Sequence, residues 1–93
     1  MRGYRRTFGE RLALCVDRGN LTVADLARWF DRPYQTVRWW LHHNVGEPGD
    51  GPGTRARMSQ RLEALEAAVR ADGTQLRRLS MSARADRLQQ LAR

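Results

Sequence analysis

The stretch from Leu21 to Leu41, LTVADLARWFDRPYQTVRWWL, decides the fold predicted for this chain. Thr22 can cap a helix here, because a threonine side chain accepts a hydrogen bond from the third helical N–H, and Asp25 stands at that third position. The Asp-Arg-Pro sequence at 31–33 interrupts the helix, since proline lacks a backbone donor and disfavours helical backbone in the preceding residue. A further helix begins at 33 or 34 and runs to about 43. The stretch therefore predicts two short helices joined by a turn of three to four residues.

The rest of the chain shows helical periodicity and no alternating strand pattern. Thr7 and Glu10 form a capping-box pair that begins a first helix, and Gly19 ends it. Four Gly and two Pro at 46–53 predict a linker. After it, Thr54 can cap a long helix to about Ala71, where Asp72-Gly73 breaks the pattern. A last helix is predicted from Ala83 to about Ala92, capped within 80–82.

These patterns predict an all-α fold of about five helices. A helix-turn-helix core of three helices occupies residues 1–45, a Gly/Pro linker occupies 46–53, and a C-terminal helical pair occupies 54–93. We expect the three parts to form one compact domain, because 93 residues leave little chain for a second one.

The chain is strongly basic, with a net charge of +7 and arginine as its only cationic residue apart from histidine. The charge is uneven: residues 21–45 hold three Arg and two acids, whereas residues 74–93 hold five Arg and one acid. An apolar content of 41% is near the globular norm and excludes a disordered basic tail. Such a charge predicts an anionic polymer as the partner.

Several other classes are excluded by the sequence. No apolar run is long enough for a membrane span, and the basic start at 1–6 is not followed by the apolar core of a signal peptide. The single cysteine, Cys15, permits no internal disulfide and fits a reducing compartment. Cys15, His42 and His43 lack the spacing of a zinc site. No catalytic constellation, cofactor motif or small-molecule substrate is evident, so we expect a non-enzyme without a cofactor.

Residues 21–41, about a quarter of the chain, resemble the helix-turn-helix of bacterial and phage DNA-binding regulators. The matching positions are the apolar-then-alanine pair, the apolar residue before the turn and the two packing positions of the second helix: Leu26-Ala27, Phe30, Val37 and Trp40. Asp31 departs from the pattern, since the turn prefers glycine there, and so does Arg32, where an apolar residue is usual. The resemblance implies a double-stranded DNA partner and a recognition helix at 34–42.

At 3.6 residues per turn, one face of that helix is polar and the opposite face is apolar. We predict base contacts by the polar face, because forked or planar donors and acceptors match base edges in the major groove. The predicted base contacts are Gln35, Arg38 and Trp39. Trp39 has two alternatives, a thymine methyl or sugar contact and a subunit contact. The predicted backbone contacts are Arg28, Arg32, Tyr34, Thr36 and His42.

The C-terminal half carries a narrow apolar seam. Its members step by four, three and four residues, which is coiled-coil spacing over about two heptads. The seam either packs on the core of the same chain or forms a subunit interface. The predicted interface residues are Met58, Leu62, Leu65, Val69, Leu76 and Leu79. We favour a homodimer, since helix-turn-helix proteins usually bind two half-sites as two-fold dimers.

The sequence thus predicts a small sequence-specific transcriptional regulator of the repressor type. We expect it in the bacterial or phage-infected cytoplasm, associated with the nucleoid. One alternative is a DNA-packaging subunit similar to phage small terminases, which would assemble as rings. Another is a recombination directionality or architectural factor, which would bend DNA.

Overall fold

The structure describes residues 6–46, 48–49 and 51–91, and this part of the chain contains five helices and no strand. The structure is a computed structural model. The helices are α1 (Phe8–Gly19), α2 (Val23–Phe30), α3 (Tyr34–His42), α4 (Pro52–Arg78) and α5 (Met81–Leu91). The predicted all-α fold with about five helices is confirmed. Within the described ranges, no helix has both the length and the apolar character needed to cross a lipid bilayer.

The first two helices begin at the predicted capping boxes. The Thr7 hydroxyl accepts from the Glu10 N–H at 3.2 Å, while the Glu10 carboxylate accepts from the Thr7 N–H at 2.9 Å. Thr22 and Asp25 make the same pair of bonds at 3.1 and 2.9 Å. Each box satisfies two N–H groups that a helix start otherwise leaves unpaired.

The fourth helix differs from its predicted bounds at both ends. It begins at Pro52, not Thr54, because proline at the first helical position sacrifices only an N–H that has no helical partner. It also continues through Asp72 and Gly73, where a break was predicted. A Cβ at Gly73 would lie 3.4 Å from the Arg18 carbonyl oxygen of α1, so the small residue suits a close crossing of two helices. The predicted linker is therefore shorter, and its last two residues are helical.

The fifth helix begins earlier than predicted. It starts at Met81, and the Ser80 hydroxyl accepts from the Ala83 N–H at 3.3 Å, so the cap is the first residue of the predicted capping segment. The predicted end at about Ala92 lies outside the described residues.

Two arginines of α5 attach it to α4. The buried Arg84 donates from Nε to the Leu76 carbonyl at 3.0 Å and from Nη2 to the Leu79 carbonyl at 2.9 Å. The second bond gives the Leu79 carbonyl a partner at the end of α4, whereas the Leu76 carbonyl also accepts from the Leu79 N–H at 3.3 Å. Arg87, whose side chain is 40% exposed, pairs through Nε with the Asp72 carboxylate at 2.6 Å.

The apolar seam of α4 lies inside the chain's own core. Five of its members are at most 4% exposed, and α4 packs chiefly against α1. These five are Met58, Leu62, Leu65, Val69 and Leu76, while the half-buried Leu79 packs against the same core. Packing within one chain therefore already covers the five buried side chains and leaves them no surface for a second subunit. These five side chains pack on the core of the same chain, as one of the two alternatives predicted, and a subunit contact at the half-buried Leu79 stays a prediction.

Candidate nucleic-acid interface

An aromatic cluster fixes the third helix on the first two. Val37 is fully buried and Trp40 is 6% exposed. The Trp40 ring meets Phe8 of α1 and Phe30 of α2 edge-on, with ring centroids 5.4 and 5.5 Å apart. Edge-to-face contacts at this distance are favourable, because the positive edge of one aromatic ring meets the negative face of the other. The apolar face of α3 is thus held through its own Trp40 by two rings from two other helices, which leaves the opposite face free.

The turn between α2 and α3 spans Asp31 to Pro33. Asp31 lies in the left-handed region at φ 54° and ψ 51°, and the Arg32 N–H donates to the Ala27 carbonyl at 3.0 Å. This arrangement is a helix C-cap usually made with glycine, and aspartate tolerates it better than most residues. Pro33 then sets the start of α3, where its carbonyl accepts from the Val37 N–H at 3.2 Å.

The end of α3 rests directly on the start of α1. The Gly9 N–H donates to the Val45 carbonyl at 2.9 Å. A Cβ at Gly9 would lie only 2.6 Å from the Asn44 Cα and 2.7 Å from the Trp40 carbonyl oxygen. Only glycine at this position lets the two backbones come so close. The contact therefore helps to fix the position of α3 relative to α1.

The outward face of α3 forms a shallow depression. It is lined by the three predicted base-contacting residues, one predicted backbone contact and one further residue: Gln35, Arg38, Trp39, His42 and His43. All five are exposed, and Trp39 keeps 57% of its surface open. Within the described part of the chain, none of the residues bordering the depression is acidic. The face therefore offers forked donors, an amide and aromatic surface without a repelling carboxylate.

His43 is a member of this face that sequence analysis left without a role. Its ring stacks on Trp39, with centroids 3.6 Å apart and planes inclined by 22°, and its Nδ1 lies 3.3 Å from the Trp39 carbonyl oxygen. The signal was available in the sequence, since residues four apart on a helix are neighbours.

The other predicted backbone contacts are spread around this face. Tyr34 is 51% exposed at the start of α3, and Thr36 is half-buried. Arg32 is half-buried in the turn, where Nη1 donates to the Asp31 carbonyl at 3.4 Å. Arg28 is exposed but does not join them, because it lines a separate cavity between α2 and α5.

The single cysteine takes no part in the depression. Burial raises the pKa of the Cys15 thiol to about 11, and the nearby Glu66 carboxylate adds to the shift. A thiol with a raised pKa is protonated at neutral pH and is a poor nucleophile. Among the described residues, no group of three or more metal-ligating side chains comes together.

No protein-family model, no curated protein and no solved structure matches the chain. The resemblance of residues 21–41 to regulator helix-turn-helix segments stays a prediction. The role of α3 is therefore inferred from its own residues and geometry.

Proposed function

We propose that this protein is a sequence-specific double-stranded DNA-binding protein, a small transcriptional regulator that inserts residues 34–42 into the major groove. One observation carries the proposal. Gln35, Arg38 and Trp39 lie side by side and exposed on a helix whose other face is locked into the core. A site on a rigid element presents its side chains in fixed geometry, which base recognition requires.

The dimensions and chemistry of α3 suit a major groove. An α-helix with its side chains is about 10–12 Å across, so a groove about 12 Å wide admits one, and the nine residues of α3 at a rise of about 1.5 Å give a length of about 13 Å. Arg38 matches the two acceptors of guanine, and Gln35 matches the acceptor and donor of adenine. Each such bidentate contact is worth about 1–3 kcal/mol of discrimination against a wrong base.

Selection of bound duplexes from a random pool tests sequence specificity directly. We expect a recovered site of defined sequence, and a two-fold palindrome would support the homodimer that we also propose. A pool that stays random after selection would contradict base recognition. Light scattering of the free protein separates a dimer from a ring of many subunits, and a ring would favour a packaging role.

Arg38→Ala tests base recognition by α3. We expect affinity for the selected site to fall by about 1–3 kcal/mol and one base position to become degenerate, with little change on random duplex. Arg70→Ala is the matched control, because Arg70 is exposed on α4 and, within the described residues, α4 does not pack against α3. An equal loss of affinity for the selected and the random duplex would mean that Arg38 contacts only a phosphate.

Arg32→Ala tests the backbone role of the turn. A phosphate contact contributes alike to every sequence, so affinity should fall on specific and random duplexes together. The slope of log affinity against log salt should fall by about one, since about one counterion fewer is released. Unchanged slopes would place Arg32 outside the interface.

A further inference from the structure

A cavity of about 240 Å³ lies between α2, α4 and α5, away from the depression on α3. Trp29 of α2 and Leu88 of α5 supply apolar walls, and both are buried. Arg28 and Arg61 line the same cavity from α2 and α4. The cavity is thus lined by one aromatic residue and two arginines, and no residue of α3 lines it.

The cavity exists because two short side chains stand where α2 and α5 meet. Asp25 is held back toward the start of its own helix, where its Oδ2 accepts from the Thr22 N–H at 2.9 Å. On the opposite wall Ala85 provides a single methyl group. Neither side chain fills the space between the helices, so the cavity is built into the packing of α5 on α2.

The aromatic wall is held in a fixed orientation. The Trp29 indole N–H donates to the Arg61 backbone carbonyl at 2.9 Å, and the ring is 5% exposed. This bond uses the Arg61 backbone and leaves its guanidinium available. A ligand therefore meets a preorganised surface and does not have to order it on binding.

The charge balance of the cavity favours an anion. Among the described residues, the Arg28 and Arg61 guanidinium groups have no hydrogen bond or ion pair. The one carboxylate in the lining, Asp25, is bonded to the Thr22 N–H at a helix start, where the helix dipole stabilises negative charge. Asp86 borders only the neighbouring cleft that shares Arg28, so an anion is best placed toward Arg61.

We propose that this cavity binds a small organic carboxylate, with a single ring packed on Trp29 and Leu88 and the carboxylate paired with Arg61 and Arg28. A cavity of about 150 Å³ accommodates benzene, so the present one has room for a ring with a short arm. Guanidinium groups bind carboxylates through two parallel N–H donors. Carboxylate binding in this cavity does not depend on the proposed DNA binding by α3, so it can be tested without DNA.

Titration of the full chain with 3-phenylpropionate, followed by ¹⁵N NMR, tests the site. We expect the Trp29 indole N–H signal and backbone signals of α2 and α5 to shift with saturation. The neutral amide of the same acid should bind at least about tenfold more weakly, because it cannot form the charged pair. Absence of saturable shifts, or equal binding of acid and amide, would overturn the proposal.

Two variants locate the ligand. Ala85→Leu fills the cavity and should weaken binding at least about tenfold, whereas Ala71→Leu, at an exposed position of α4, should leave it unchanged. Arg61→Gln keeps the backbone bond to Trp29, so it should weaken binding of the acid but not of the amide. Wild-type affinity for the acid in Arg61→Gln would refute the proposal, even if Ala85→Leu proved unstable.

Discussion

Replacing Gly9 with alanine tests the backbone contact that sets α3 against α1. The new Cβ would lie 2.6 Å from the Asn44 Cα and 2.7 Å from the Trp40 carbonyl oxygen, whereas carbon atoms normally approach to about 3.5–4.0 Å. Both neighbours are backbone atoms, so the helices must separate by about 1 Å. Overpacking of this kind costs about 1–3 kcal/mol.

Two further contributions decide the net effect. Separation weakens the bond from the Gly9 N–H to the Val45 carbonyl, which is worth about 1 kcal/mol. In the opposite direction, alanine exceeds glycine in helix propensity by up to about 1 kcal/mol. These two contributions roughly cancel, so we expect Gly9→Ala to lower the free energy of unfolding by about 1–3 kcal/mol, and the melting temperature of a chain this size by roughly 4 °C or more.

Gly53→Ala is a matched control for this experiment. Gly53 occupies the same second helical position in α4 as Gly9 does in α1, but nothing lies within 4 Å of its added Cβ. It should gain up to about 1 kcal/mol, because only propensity changes. Urea unfolding followed by circular dichroism at 222 nm measures both variants. If Gly9→Ala is as stable as the wild type, or moves in the same direction as Gly53→Ala, the close approach of α1 and α3 is refuted.

Three further predictions concern single side chains. Folding raises the pKa of the Cys15 thiol to about 11, so the folded thiol stays protonated at a pH where the thiol of the unfolded chain, with a pKa near 9, ionises. The free energy of unfolding of the wild type should therefore fall by about 1 kcal/mol relative to that of Cys15→Ala as the pH rises from 8 to 10. Urea midpoints that change in parallel for the two proteins would disprove this. Arg84→Met should lower the free energy of unfolding by about 1–3 kcal/mol, since it removes the donor to the Leu79 carbonyl and one of the two donors to the Leu76 carbonyl. The more exposed Arg87→Met should lower it by under about 1 kcal/mol, and equal losses in chemical denaturation would contradict this difference. Asp31→Gly should raise the melting temperature by several degrees, because Asp31 has φ 54° and glycine adopts positive φ without strain. The control Asp17→Gly, within α1, should lower it. A lower melting temperature in both variants would argue against the left-handed cap.

The sequence predicted those features that depend on neighbouring residues. Thr22 and Asp25 are three positions apart, so the box that begins α2 is visible in four letters of sequence. The polar face of α3 followed in the same way from the period of a helix. Local interactions of this kind need no knowledge of the rest of the fold.

Features that depend on distant residues were beyond such inference. The Asp72-Gly73 pair ends a helix on local propensity, yet here Gly73 lies against the α1 backbone at Arg18 and Asp72 pairs with Arg87. Tertiary packing can outweigh the propensity cost of one glycine, which is about 1 kcal/mol. The same holds for the seam of α4, whose burial depends on α1, and for the cavity, whose size depends on Asp25 and Ala85 together.

The arginines show why net charge alone describes the proposed interface poorly. Arg11 pairs with Glu66 through two bonds of 3.0 and 2.6 Å, Arg87 pairs with Asp72, and Arg84 is buried against carbonyl oxygens. Such arginines stabilise the fold and are poorly placed to neutralise phosphates, whereas Arg38 is exposed on the face of α3. Non-specific affinity should therefore follow the number of exposed, unpaired guanidinium groups and be smaller than +7 suggests. In the proposed DNA complex, sequence preference would depend on Gln35 and Arg38, whose positions follow from the packing of α3.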